Sequence, residues 1–131
     1  MNEKYSELIK HARNAIDKGF YASQVPSRRY GAAVLTENGN IYSAGQYSSF
    51  NHITSIHAEM SAILVATMSK DYNIIALALA GNENANICSC GICLQFIKEH
   101  SLRTGIDMDI IYDIKGSCKI FKQSNLTSKM W

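Results

Sequence analysis

Apolar and polar positions recur along this chain with two periods, and each switch from one to the other marks an element. Tyr5, Leu8, Ile9, Ala12 and Ile16 follow helical spacing, so the spacing predicts a first helix over 4–18, with Gly19 as its terminator. After a loop containing Pro26, two strand-like runs, 31–36 and 41–47, flank Glu37-Asn38-Gly39-Asn40. Asn-Gly between such runs predicts a hairpin, because that turn needs positive φ at its centre. Thr54 or Ser55 is placed to cap a second helix with Ile56, Met60, Ile63, Leu64 and Thr67 on one face. The continuous apolar run 73–81 reads as a strand buried on both faces. A third helix is expected from about Cys90 towards Arg103, stopping near Gly105, and then a closing hairpin of 108–114 and 118–122. The order α-β-β-α-β-α-β-β predicts an α/β fold, a three-layer α/β/α sandwich on a five-stranded mixed sheet. Its last strand must be antiparallel, because a turn of three residues cannot hold a crossover.

Composition narrows the classes. A chain of 131 residues is expected to form one domain, 1–131. No apolar run reaches bilayer-spanning length, and the polar amphipathic start does not look like a signal peptide, so a cytoplasmic protein without a membrane partner is expected. Net charge is only +2, with acids and bases interspersed, which argues against binding duplex nucleic acid. Of four cysteines, Cys88, Cys90 and Cys93 fall within six residues, a clustering that suits metal or redox chemistry better than a disulfide framework. Cys88 and Cys118 are expected to be small buried apolar residues.

Two short segments carry the candidate chemistry: Ser55-Ile56-His57-Ala58-Glu59-Met60 and Ser89-Cys90-Gly91-Ile92-Cys93. Taken singly, His57 would be a satisfied, partly buried histidine, Cys90 and Cys93 a redox pair or half of a structural zinc site, and Glu59 a helix-start acid. Together, His57, Cys90 and Cys93 offer three donors, the number a catalytic zinc takes before its open fourth position. Each is expected at a helix N-terminus, where partial positive charge favours thiolate over thiol. Two thiolates and an imidazole already neutralise the ion, so the Glu59 carboxylate is better used to carry protons beside it.

These segments resemble the cytidine deaminase superfamily of zinc hydrolases, whose signature is H/C-x-E followed by P-C-x-x-C. "GAAVL" (31–35), "HAEMSAI" (57–63) and "CGICLQ" (90–95) are similar to its motifs, and the 32 residues between His57 and Cys90 fit its interval. "AGNEN" (80–84) looks most like the small deaminases of blasticidin S, a cytosine nucleoside antibiotic. The resemblance implies one Zn2+ per chain held by His57, Cys90 and Cys93, with Glu59 as proton shuttle and the Ala58 backbone contacting the pyrimidine carbonyl. The implied reaction is hydrolytic deamination of the 4-amino group of a free, nucleoside-like small molecule, either a cytosine nucleoside or a modified analogue. An antiparallel last strand is similar to relatives that act on free nucleosides, and small relatives assemble as homo-oligomers, so a tetramer or dimer is expected.

Three departures qualify the match: Ser89 replaces the proline, Leu94 replaces an arginine, and "GQYSSFNH" (45–52) has no acid where the family reads ribose hydroxyls. Gln46, Ser48 and Asn51 are the remaining polar candidates there. Arg28 stands where relatives place a phenylalanine and could meet a substrate carboxylate or phosphate. Trp131 could fold over the pocket and stack on a base. The competing functions are deamination of a purine or pteridine, and a non-catalytic zinc-stabilised binding module on the same scaffold.

Overall fold

The computed structural model describes residues 2–22 and 28–128. The loop position Pro26 and the terminal Trp131 lie outside them. Helix α1 (Glu3–Ala15) starts where the Asn2 side chain accepts the Tyr5 N–H at 2.8 Å, and it buries Leu8, Ile9, Ala12 and Ala15. It tightens into a 3-10 turn over Ile16–Lys18, and Gly19 follows in extended backbone, so Gly19 is not a left-handed cap. The strands are β1 (Phe20–Tyr21), β2 (Tyr30–Thr36), β3 (Ile41–Gly45), β4 (Tyr47–Ser48), β5 (Ile74–Gly81), β6 (Asp109–Ile114) and β7 (Ser117–Lys122). The remaining helices are α2 (Ala58–Met68), α3 (Gly91–Thr104) and α4 (Gln123–Thr127).

Five strands form one mixed sheet in the order β3-β2-β5-β6-β7. Only β5 and β6 run parallel, joined through α3; β7 returns antiparallel to β6 across a turn at Lys115 and Gly116. The period-2 alternation of β2, β5 and β6 sorts their side chains into two cores. Ala32, Val34, Leu77, Leu79, Ile110 and Tyr112 face α2 and α3, whereas Ala33, Leu35, Ala76, Ala78, Ala80 and Ile111 face α1. This is the expected α/β/α sandwich with its antiparallel last strand. Gly39, at φ +86, supplies the turn between β2 and β3 that Asn-Gly predicted.

Three local expectations are corrected. The run 41–47 is not one strand. At Gln46 the carbonyl accepts the Phe20 N–H at 2.9 Å and the side-chain Oε1 accepts the Tyr30 N–H at 3.0 Å. The backbone therefore leaves the main sheet, and β4 pairs in parallel with β1 instead. Nor do Thr54 or Ser55 cap the second helix. Ile56 is bridged to Tyr47 by two backbone bonds of 2.8 Å, which holds it extended, and α2 begins only after His57. Finally, of the expected helix face only Ile63 is buried in α2, together with Ala58, Glu59, Ala62 and Ala66, whereas Met60, Leu64 and Thr67 are half-buried. Small side chains let this helix lie close against the sheet.

Close approach is sharpest at Gly31, opposite Gly45 in the β2–β3 register. A Cβ there would collide with backbone atoms of Ala12, Ala15 and Ile16, so α1 rests on the bare glycine. Gly31→Ala is expected to destabilise the protein by about 2 kcal/mol or more, the scale of a core overpacked against rigid backbone. The check is a lowered urea midpoint at unchanged slope.

Candidate metal centre

The two segments singled out in the sequence become the starts of two helices. His57 is the N-cap of α2 and Cys90 the N-cap of α3, both extended (ψ 158° and 172°), and neither side chain makes a capping hydrogen bond. Both are thus available to something else. His57 Nδ1 stands 3.2 Å from Cys90 Sγ and 3.2 Å from Cys93 Sγ, and the three donor atoms lie within 4.8 Å of one another. Nitrogen and sulfur ligands on a tetrahedral zinc stand roughly 3.6 Å apart. A small outward adjustment therefore admits the ion.

The donor set fits a metal chemically as well as geometrically. Cys93 is fully buried, and burial, followed by the nearby Glu59 carboxylate and Cys90, pushes its thiol far above the usual cysteine range. Such a thiol gives up its proton to a cation far more readily than to water. Cys90 is exposed and His57 half-buried, so the centre is walled by protein on one side and open on the other.

The open side is a cavity of about 190 Å3 lined by Tyr30, Gln46, His57, Ala58, Glu59, Leu79, Cys88 and Cys90. Pockets for drug-sized ligands measure about 300–1,000 Å3, so this cavity is small, on the scale of one ring. Glu59 is only 4% exposed and belongs to the first turn of α2, two residues from His57. Gln46 is held by Tyr30 N–H and donates through Nε2 to Ser48 Oγ at 3.2 Å. Ser48 itself is not among the lining residues, and neither is the exposed Arg28. Asn51 points its Oδ1 at the Ile53 N–H, 3.0 Å away.

Other residues enter in places that the sequence did not suggest. Cys88, expected to be buried, is exposed and lines the cavity, because 82–90 is a loop rather than core. Tyr30 donates its hydroxyl to the Asn86 carbonyl at 3.1 Å, and Tyr112 OH accepts the Ser89 N–H at 3.1 Å. These two tyrosines pin the loop that delivers Cys90. The alternation of "DIIYDI" (109–114) was the available signal for Tyr112, since it puts Tyr112 on the same face as Ile110.

A family model described as the cytidine and deoxycytidylate deaminase zinc-binding region matches residues 2–106, which include both helix starts. Among solved structures, the chain is similar to a cytidine deaminase from Burkholderia pseudomallei (TM-score 0.80, 20% identity, 96% of each chain covered). It is also similar to one from Mycobacterium leprae (TM-score 0.77, 18% identity, covering 95% of this chain and 98% of that one). A third, from Bacillus anthracis, has a TM-score of 0.71 at 19% identity and covers 99% and 90%. At these identities the likeness is one of fold. No curated protein matches the chain in sequence. The zinc-binding description of the family model and the His57–Cys90–Cys93 group agree on one zinc ion as the cofactor.

Proposed function

Because the chain belongs to the cytidine and deoxycytidylate deaminase family of zinc-dependent hydrolases, we propose that it acts, as one domain, on a free cytosine nucleoside or modified cytosine-nucleoside analogue. It replaces the 4-amino group with a carbonyl and releases ammonia. The observation that carries this reading is the meeting of His57 Nδ1 with two cysteine sulfurs beside a cavity walled by a buried glutamate.

His57, Cys90 and Cys93 hold the zinc, which when bound supplies Lewis-acid activation of the attacking water. Glu59 takes the proton that water loses on attacking C4 and delivers it to the neighbouring ring nitrogen N3. It then takes the second proton, from the C4 hydroxyl, and passes it to the departing amino nitrogen, so that the C4–N bond breaks, ammonia leaves and the C4 carbonyl remains. Burial of Glu59 shields these transfers from bulk water. Ala58 offers its backbone to the pyrimidine carbonyl, and Leu79 gives the ring an apolar floor. Gln46 shapes the wall and Ser48 braces it, while the exposed Arg28 is a cation available to an anionic substituent of the substrate. A homo-oligomer, tetramer or dimer, is part of this reading. Its support is exposed apolar surface on the segment that precedes α2, with Phe50 86% and Ile53 88% exposed.

The test is a panel of nucleosides and bases followed by ultraviolet absorbance on zinc-analysed protein, since loss of the 4-amino group shifts the cytosine spectrum. Cytosine nucleosides are expected to turn over. Segment 45–52 has no acid to grip a ribose hydroxyl, and Gln46 Oε1 and Nε2 each already hold one partner within the protein, so cytidine and 2′-deoxycytidine should differ in kcat/KM by less than about tenfold. A site built to bond a hydroxyl would discriminate by about 10^4 or more. Turnover confined to purines or pteridines would move the substrate class. Ammonia from none of them, despite stoichiometric zinc, would leave a binding module.

A further inference from the structure

Ser89 occupies the position immediately before the Cys90 N-cap, where the zinc signature of this family carries proline. Proline there fixes φ and has no N–H to satisfy. Serine does neither: it leaves the backbone freer and brings an amide donor into a place only 8% exposed, where an unmet N–H is costly. The chain meets that donor with Tyr112. Its hydroxyl accepts the Ser89 N–H at 3.1 Å in a buried bond.

Tyr112 is itself firmly placed. It lies on β6 opposite Leu79, the apolar floor of the cavity, in the parallel β5–β6 register. Its ring packs at 5.7 Å from that of Phe121 on the neighbouring β7, and only 6% of the residue is exposed. A hydroxyl anchored in the middle of a sheet therefore grips the backbone one residue before a metal-ligating cysteine.

We propose that Tyr112 is a positioning residue for the metal centre: its bond to the Ser89 amide does here what proline does in the signature, holding the Ser89–Cys90 segment so that Cys90 Sγ stays on the ion. The proposal rests on His57, Cys90 and Cys93 being the zinc ligands. Groups that orient metal ligands typically change metal affinity by about 10–100-fold when removed, and the Tyr112 hydroxyl is expected to act on that scale.

The experiment uses the zinc-loaded protein, with zinc transfer to a chromogenic chelator as readout, on wild type, Tyr112→Phe, Ser89→Pro and the double variant. Tyr112→Phe keeps the ring and its packing and removes only the acceptor. It is expected to bind zinc at least about tenfold more weakly, with thermal unfolding of the metal-free protein little changed. Ser89→Pro removes the donor, so in that background the Tyr112→Phe effect should shrink to within about threefold; a merely structural role for the hydroxyl would not be rescued in this way. An unchanged zinc affinity in Tyr112→Phe, or an equal loss with and without Ser89→Pro, overturns the proposal. Should Ser89→Pro fail to fold, hydrogen exchange at the Ser89 amide decides: protection in wild type that is lost in Tyr112→Phe supports the clamp, and unchanged exchange overturns it. If Cys90→Ser leaves zinc binding intact, the ligand assignment fails, and the exchange comparison separates that failure from failure of the clamp.

Discussion

Glu59→Gln lowers kcat by about 10^2–10^4, the range that a positioned general acid–base contributes, while the protein still carries one zinc. Glutamine preserves the shape of a side chain that is 4% exposed in the first turn of α2, so packing survives and only the ability to accept and return a proton is lost. Zinc is retained because Glu59 is not one of the three donors. Steady-state rates and zinc content measured on the same preparation check both halves. A variant that loses its zinc, or that turns over at the wild-type rate, would remove Glu59 from the proton-shuttle role.

Cys93→Ser abolishes both zinc binding and turnover, and a strong chelator does the same to the wild-type protein. Cys93 is fully buried, its sulfur 3.2 Å from His57 Nδ1. A serine hydroxyl there keeps its proton at neutral pH, so the centre keeps two donors and loses the charge balance that two thiolates give to Zn2+. Because metal binding is coupled to folding, the stripped protein should also melt at a lower temperature. Activity should return in proportion to zinc added back, reaching its full value at one equivalent per chain. Undiminished turnover after complete removal of zinc would contradict the hydrolase mechanism.

The metal donors could be read from the chain because each lies in a short segment whose spacing is local: His57 with Glu59, and Cys90 with Cys93. The layers were legible for a related reason, since the continuous apolar run 73–81 marks a strand covered on both faces and the helical spacing of Leu8, Ile9 and Ala12 marks one of its covers. What escaped depends on pairings between distant segments. Gln46 breaks the expected strand 41–47 because its side chain takes the Tyr30 N–H, 16 residues away. Asp71 is 6% exposed and accepts from Thr36, Asn38, Asn40 and Tyr42, 29 to 35 residues away, tying the β2–β3 hairpin to the end of α2. Those four donors, Asn40 foremost, hold its carboxyl below the usual range against the effect of burial. No local pattern marks that carboxylate. The start of α2 lies two residues beyond the place Ser55 suggests: Ser55 has the composition of a cap, yet its Oγ accepts the Ser49 N–H at 3.1 Å. That displacement makes His57 itself the N-cap, with its imidazole turned to the cysteines.

X-ray absorption at the zinc edge of the loaded protein reads the ligands of the ion themselves. One zinc per chain is expected, with two sulfurs at about 2.3 Å and two light atoms, one of them an imidazole nitrogen, at about 2.0–2.1 Å. A shell of four sulfurs, a shell without sulfur, or a protein that takes up no zinc would rule out a centre built from His57, Cys90 and Cys93.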